Sequence, residues 1–477
     1  LQIAERAGVS ARGFRDRGFD VKPIIAIAIQ TVRASIRSRV FHTLGLLILV
    51  AVLVLPTLVS GTGTAMSQLQ ISLTYSLGVV TALVSLSALW LACSSLAHEI
   101  EAYQIHLVLT KPASRWAVWL GKWLGVFAMH AVIFLVAALL VLVLIQWRLR
   151  TGDFDPDELA RLRREILVGR KAYIPRPPDF RAMADEEYKR RRDQLAADHN
   201  PGYIRAELTR QIRANYMEVQ YGQVREWTFR GIRARPDQTL FLRWRCYRNS
   251  LNSQNQALTM GVWGIYDPEA DTAEKFVYAA PQTEMSAFFH ELPIPSRYVT
   301  EDGTVTLRYV NLDPEEKVVL FQFADGPQLL VPATGFTGNY LRASMLVLLQ
   351  LVFLTALGCA LGALLSPPVA VFVALAYLAL GMTAKSVIGS IPLNDLGAFA
   401  YTNIFDVIGH TIARGVKVLV VSVDDFRATL DLARGHLIGM PRIAIAFVML
   451  VVLRGLPLAL LGVWLFTRRE LGTVTRR

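Results

Sequence analysis

Apolar residues in this chain gather into long unbroken runs separated by charged stretches. A helix that crosses a bilayer needs about 20 mostly apolar residues. Six runs reach that length, at about 42–61, 74–96, 116–147, 340–365, 368–390 and 442–467. The third is longer than a bilayer requires and is expected to project beyond it as helix. Ahead of the first run, Ile24, Ile25, Ile27, Ile29, Val32 and Ile36 are interspersed with Arg33, Arg37 and Arg39. Apolar positions three and four apart with arginines between them suit a helix lying in the membrane interface. The plainer alternative is a cytoplasmic lead-in to the first span.

Between the third and fourth runs the periodicity changes. Residues 148–223 read as charged amphipathic helices, with Leu159, Leu162 and Ile166 on one stripe and Ile204, Leu208, Ile212 and Tyr216 on another. IPRPPDF at 174–180 and HNPG at 199–202 interrupt them. From about 224 to 338 the spacing falls to two. TLFLRWRCY at 239–247 and TVTLRYV at 304–310 alternate, and Asp302-Gly303 and Asp325-Gly326 mark turns. The expected product is a β-sandwich of jelly-roll type. Its aromatics, Trp227, Trp244, Trp263, Tyr266, Phe288 and Phe289, are candidates for a sugar-binding platform, set against the simpler reading that they form the core. The expected fold is therefore a predominantly α membrane protein with six transmembrane helices and an α + β extracytoplasmic insert.

Composition agrees. The chain is 53% hydrophobic and 18% charged, with mean hydropathy +0.37, which is too apolar for an ordinary soluble protein of this length. No cleavable signal peptide is evident ahead of the first run. Lys and Arg near span ends set orientation. Arg33, Arg37 and Arg39 precede the first span, Lys111, Arg115 and Lys122 follow the second, and Arg468, Arg469, Arg476 and Arg477 follow the sixth. Both termini and the 97–115 segment are then cytoplasmic, and 148–339 and 391–441 lie outside. The net charge of +12 suits anionic membrane lipids, without nucleic acid.

Candidate chemistry is sparse. No phosphate loop, nucleophile elbow or HExxH occurs. Cys93 and Cys359 sit within runs, which leaves Cys246 unable to form a disulfide inside the insert. His98 and His106 are too far apart to chelate, so no metal site is expected. Two intramembrane charges stand out. Lys385 can snorkel to the interface, whereas Arg454 lies about 18 Å from either end of its run at 1.5 Å per residue. It suits a translocation path or subunit interface, or else a structural ion pair. The stretch 391–440 reads as outer re-entrant or amphipathic helices, with a seventh span as the alternative.

The most informative segment is AHEIEAYQIHLVLTKPASRWAVWLGKW at 97–123, which is polar and lies between two apolar runs. Pro112 bars a helix from running straight through. The expected form is a short helix at 97–109, a corner at Lys111-Pro112, and then the third span.

Glu99, Leu107, Thr110-Lys111-Pro112, Arg115 and Gly121-Lys122 resemble the cytoplasmic loop of ABC-2-type permeases, the membrane subunits of type V ATP-binding-cassette exporters. The likeness extends over about 20–150 and 340–470, and the large outer insert departs from it. The resemblance, set on the runs and periodicities above, gives an expected domain order of an N-terminal segment with interfacial helix (1–41), spans one to three (42–147) with the coupling helix, the insert read from its residues in helical (148–223) and β (224–338) parts, spans four to six (339–467) and a cytoplasmic tail (468–477). It further implies a multi-pass protein of the bacterial cytoplasmic (inner) membrane, not itself an enzyme and binding no cofactor. ATP and Mg would sit on a separate cytoplasmic ATPase subunit. A second permease copy or homologue, membrane lipids and an extracytoplasmic protein or glycan are the other expected partners. ATPase coupling would fall to Glu99, Glu101, Gln104, Leu107, Thr110, Lys111, Pro112, Arg115, Gly121 and Lys122. The output is export or movement of the outer domain. The alternative is an envelope scaffold whose β-sandwich binds a glycan or protein.

Overall fold

In the computed structural model, residues 21–55, 69–102, 114–151, 154–192, 201–248, 258–269, 275–323, 325–390, 411, 415 and 428–469 are described. Helices α1 (Lys22–Ile36) and α2 (Arg39–Leu53) open the chain. They are followed by α3 (Leu69–Glu101) and α4 (Arg115–Thr151). After the outer domain come α8 (Phe336–Leu364), α9 (Pro367–Ser390), α10 (Ala428–Ala433) and α11 (Met440–Arg468). Among the described residues, α3, α4, α8 and α11 are long and apolar enough to cross a membrane. Counting α1 and α2, which meet at a 67° bend, as one broken span gives five.

Six spans were expected. The first expected run is represented by α2, 15 residues long, and its end lies outside the described residues. The fifth is represented by α9, whose described apolar part, Pro367–Gly381, is short of a full crossing. Lys385 lies on the backbone of α9, but its side chain is outside the described residues, as is nearly all of 391–427.

Burial ranks the helices. In α8, 72% of the most apolar window is buried, against 22% in α11, so α8 forms the centre and α11 the rim. Two glycine pairs let helices touch at the backbone, as small residues do wherever helices pack closely in lipid. On α8, a Cβ at Gly358 would stand 2.6 Å from Ala92 Cβ of α3, and one at Gly362 would strike Cys93 O. On α4, a Cβ at Gly121 or Gly125 would come within 2.7 Å of Ile27 or Thr31 of α1. Helix α1 therefore buries Ile24, Ile27, Ala28, Thr31 and Ser35 against α4 while Ile25, Ile29 and Ile36 stay exposed.

Outside the bundle, α5 (Pro156–Glu165) leads into strand β1 (Val168–Tyr173), then α6 (Phe180–Arg191) and α7 (Pro201–Met217). The stretch 148–223 was expected to be helical, yet β1 falls inside it. VGRKAY is half polar and short, and it becomes a strand by pairing antiparallel with 329–335, a partner distant in sequence. The α7 stripe packs as its spacing predicts, with Leu208, Ile204 and Ile212 against Ala184 and Tyr188 of α6.

The remaining strands are β2 (Glu218–Val219), β3 (Val224–Phe229), β4 (Thr239–Arg245), β5 (Tyr247–Arg248), β6 (Leu258–Tyr266), β7 (Phe276–Tyr278), β8 (Gln282–Met285), β9 (Phe289–Pro295), β10 (Val305–Asn311), β11 (Val319–Leu320) and β12 (Gln328–Gly335). One sheet runs β1-β12-β4-β9. A second runs β3-β10-β6-β7 with β8 also on β6, and a short third runs β2-β11-β5. Every named ladder is antiparallel. The first two sheets share one core, in which Leu240, Leu242 and Trp244 of β4 meet Trp227, Trp263, Leu307 and Tyr309. The structure gives two facing antiparallel sheets in these orders. Trp227, Trp244 and Trp263 are buried, which removes them from any sugar-binding surface. Tyr266 and Phe289 are half-buried, and Phe288 is exposed.

Candidate functional site

Helix α3 does not stop near Leu96. It continues without a break through Ala97 and His98 to Glu101, because AHEIE has good helix formers and no breaker before Pro112. The separate helix expected at 97–109 is thus, as far as 101, the last turn of α3. Gln104, Leu107, Thr110, Lys111 and Pro112 lie outside the described residues, as does His106.

Glu99 points to α4 and forms an ion pair with Lys122. Both side chains are largely shielded, at 23% and 11% exposed. A shielded charge keeps its place only when paired, so removing one partner costs more than the pair contributes. The pair therefore fixes the end of α3 against the second turn of α4. Glu101 and His98 on the same turn are exposed. Gly121, beside Lys122, is where α1 crosses α4.

Arg115, at the start of α4, donates to the carbonyls of Thr467 (2.8 Å) and Arg469 (3.1 Å) at the end of α11. Arg469 donates in turn to Ala363 O of α8, at 2.7 Å. The last carbonyls of a helix lack intrahelical partners and carry the negative end of its dipole, so arginines there satisfy both. Trp119 Nε1 donates to Cys359 O at 3.3 Å, one step deeper. The structure thus brings Glu99, Arg115, Gly121 and Lys122 together at the end of the bundle where α3, α4, α8 and α11 meet. Arg454 is remote from them, in a π-helical stretch of α11 (Phe447–Gly455). It is half-buried and not without a partner.

A second constellation, which sequence reasoning missed, bolts the outer domain to the bundle. Residues 434–438, just before α11, lie along the free edge of β1. Arg170 N donates to Gly435 O, and Leu437 N donates to Arg170 O, both at 2.8 Å. The side-chain amide of Asn339, in the first turn of α8, donates to His436 O (2.7 Å) and accepts from Ile438 N (2.8 Å). Arg170, 2% exposed, holds Glu291 of β9 through two bonds of 2.7 and 3.1 Å. Arg243 of β4 stands 2.8 Å from His436 Nε2. An arginine can only donate, so Nε2 is the acceptor and the ring is neutral. Burial, followed by the charge of Arg243, brings the His436 pKa down to about 4. Asp431 pairs with Arg442 at 2.5 Å and closes the segment on α11. Burial also lowers the Arg243 pKa to about 10. These residues lie scattered over 170–442, and no local spacing announces them.

Within the outer core, Glu284 is 3% exposed and accepts from Trp244 Nε1 at 2.9 Å. Burial raises its pKa. Burial and then Glu284 push the nearby Cys246 thiol up to about 12, so it is inert as a nucleophile. Among the described residues no group of three His, Cys, Asp or Glu is arranged to hold a metal ion.

No curated protein and no solved structure matches the chain. A family model does. It covers α1 to α4, the region in which Glu99 and Lys122 join two helix ends, and stops where the outer domain begins. Residues 25–154 match the model described as ABC-2 family transporter protein, and that match supports an ABC-2-type permease.

Proposed function

We propose that this chain is the membrane subunit of an ATP-binding-cassette exporter, driven by a separate cytoplasmic ATPase subunit that carries the ATP and Mg. One observation supports this above the others. The family match spans α1 to α4, and within it Glu99 ties the end of α3 to Lys122 of α4. A push on the segment joining these helices reaches both at once and changes their relative tilt. Glu101 and the neighbouring Gln104, Leu107, Thr110, Lys111 and Pro112 form the docking surface, while Glu99, Arg115, Gly121 and Lys122 transmit the motion. The chain works as a pair with a second copy or a homologue in a bacterial inner membrane, with both termini cytoplasmic. The test is ATPase turnover of the complex purified from native membranes. Glu101→Arg lowers stimulated turnover without loss of membrane insertion. Glu99→Arg lowers it too, with an altered α3–α4 contact. Unchanged turnover in both variants removes the segment from the mechanism.

The bolted junction at 434–438 favours a second output, in which movement of α8 and α11 works the outer domain. Its test is hydrogen exchange of β1 and 434–438 peptides in the complex with and without ATP. An ATP-dependent change in both segments supports this output, and identical exchange removes it.

A further inference from the structure

A cavity of about 240 Å³ opens where α4, α5 and the first turn of α8 meet. Its apolar lining includes Leu149, Leu159, Leu167 and Phe336, and Arg150 and Arg163 stand at its rim. Both arginines are exposed, and neither is taken up by an ion pair among the described residues. The cavity sits at a definite depth. The long apolar run of α4 ends at Trp147, which is 59% exposed and lies one turn before the arginine rim. An exposed tryptophan at the end of an apolar run marks the membrane–water interface. From the cavity an apolar track runs back along α8, where Leu341 and Met345 are 63% and 50% exposed, one and two turns beyond Thr337 of the lining.

We propose that this cavity is a binding site for an anionic phospholipid of the surrounding leaflet. Its phosphate is held by Arg150 and Arg163, and one acyl chain lies over Leu149, Leu159 and Phe336 and along Leu341 and Met345. Charge and apolarity argue together for this occupant. A soluble anion would use the two arginines but leave the apolar lining and track in water, and a zwitterionic lipid would forgo the excess charge of the rim. Two cations at a membrane surface give an attraction that a neutral headgroup does not share. The site also has a structural consequence, because α5 leads directly into β1, the strand that carries Arg170. A lipid wedged between α4 and α5 sets the angle at which the outer domain leaves the membrane. The proposal goes beyond the permease reading and does not depend on ATPase coupling.

The full chain in nanodiscs made from equal amounts of phosphatidylglycerol and phosphatidylcholine provides the test, with lipids that survive delipidation identified by native mass spectrometry. Wild type retains phosphatidylglycerol over phosphatidylcholine by on the order of tenfold. Arg150→Glu with Arg163→Glu abolishes that preference. Leu159→Trp, which fills the cavity and leaves both arginines, lowers retention of both lipids. Ten millimolar inorganic phosphate leaves retention unchanged. Equal retention of the two lipids by wild type overturns the proposal, as does a preference that survives both variants. Full displacement by phosphate overturns it as well, since the occupant would then be a soluble anion. Because lipid retention is read without nucleotide, failure here leaves the permease reading intact, and loss of ATPase coupling leaves this one intact.

Discussion

In the membrane bundle, the residues turned outward are large and apolar, such as Leu135, Leu139, Leu341 and Leu461. Those at the helix contacts are small, such as Gly358, Gly362, Ala92 and Cys93. The outer domain reverses this. Its centre is aromatic, with Trp244 and Trp263 ring centroids 5.0 Å apart and Trp263 and Tyr309 likewise at 5.0 Å. Its rim is charged, with Arg308 against Glu226 at 2.7 Å and Arg245 against Asp325. Lipid offers no hydrophobic penalty for an exposed leucine, so bundle stability must come from close backbone contact and satisfied polar groups. Water does penalise exposed apolar surface, so the outer domain gathers its bulk inside. The buried charges follow the same division. The outer domain buries Arg170, Arg243, Glu284 and Asp313, and the bundle buries Lys122, paired with Glu99 at the helix end.

The sharpest way to break the comparison is to remove bulk where bulk is the stabiliser. Trp244→Ala empties the centre of the outer core and deprives Glu284 of its donor, at a cost of about 3–5 kcal/mol. Hydrogen exchange of the full chain should rise across β4, β6 and β9 while α8 peptides stay protected. The converse is to add bulk where its absence is the stabiliser. Gly358→Leu drives a side chain into Ala92 and Leu89 of α3 and costs about 1–3 kcal/mol. Detergent-solubilised protein should lose its α3–α8 contact first, read as exchange in those two helices.

Two buried titratable groups sharpen the comparison by responding to pH in opposite senses. The folded-state pKa of His436 is lowered, so its contribution is complete above the unfolded value, near 6.5, and is lost as pH falls toward about 4. Protonated Nε2 can no longer accept from Arg243. Protection of 434–438 should fall over that window, and His436→Gln should flatten the response. The folded-state pKa of Glu284 is raised, so its contribution is complete below the ordinary carboxylate value and declines as pH rises toward the raised one. Glu284→Gln, neutral throughout, should match wild type in acid and exceed it at neutral pH in thermal unfolding of the outer domain. Equal curves at both pH values would mean that Glu284 ionises without cost.

The smallest effect is expected at the exposed rim. Glu226→Gln breaks the pair with Arg308, whose guanidinium also stacks on Phe276 at 3.7 Å from the ring centre. A change well under about 1 kcal/mol is expected. A larger loss in a denaturant series would show that the outer charges hold the sheet as the glycines hold the bundle.

Some of this was legible one residue after another. Runs of apolar residues announced α3, α4, α8 and α11, because a helix that crosses lipid must satisfy its own backbone and be apolar on every side. Alternation announced β4 and β10, and four-residue spacing announced the stripe of α7. Glu99, Arg115, Gly121 and Lys122 were singled out from a local motif, and that motif falls within the matched family region. Tertiary structure decided the rest. It made a strand of VGRKAY at 168–173, since a six-residue polar segment takes its form from a partner more than 150 residues away. It joined the end of α3 to α4 by pairing Glu99 with Lys122. It turned three tryptophans from candidate ligand surface into core. And it built the junction around His436, to which Arg170, Arg243 and Asn339 come from far along the chain. Sequence fixes which residues avoid water, through short-range pattern; which polar groups find one another depends on closure of the chain, and no local spacing records it.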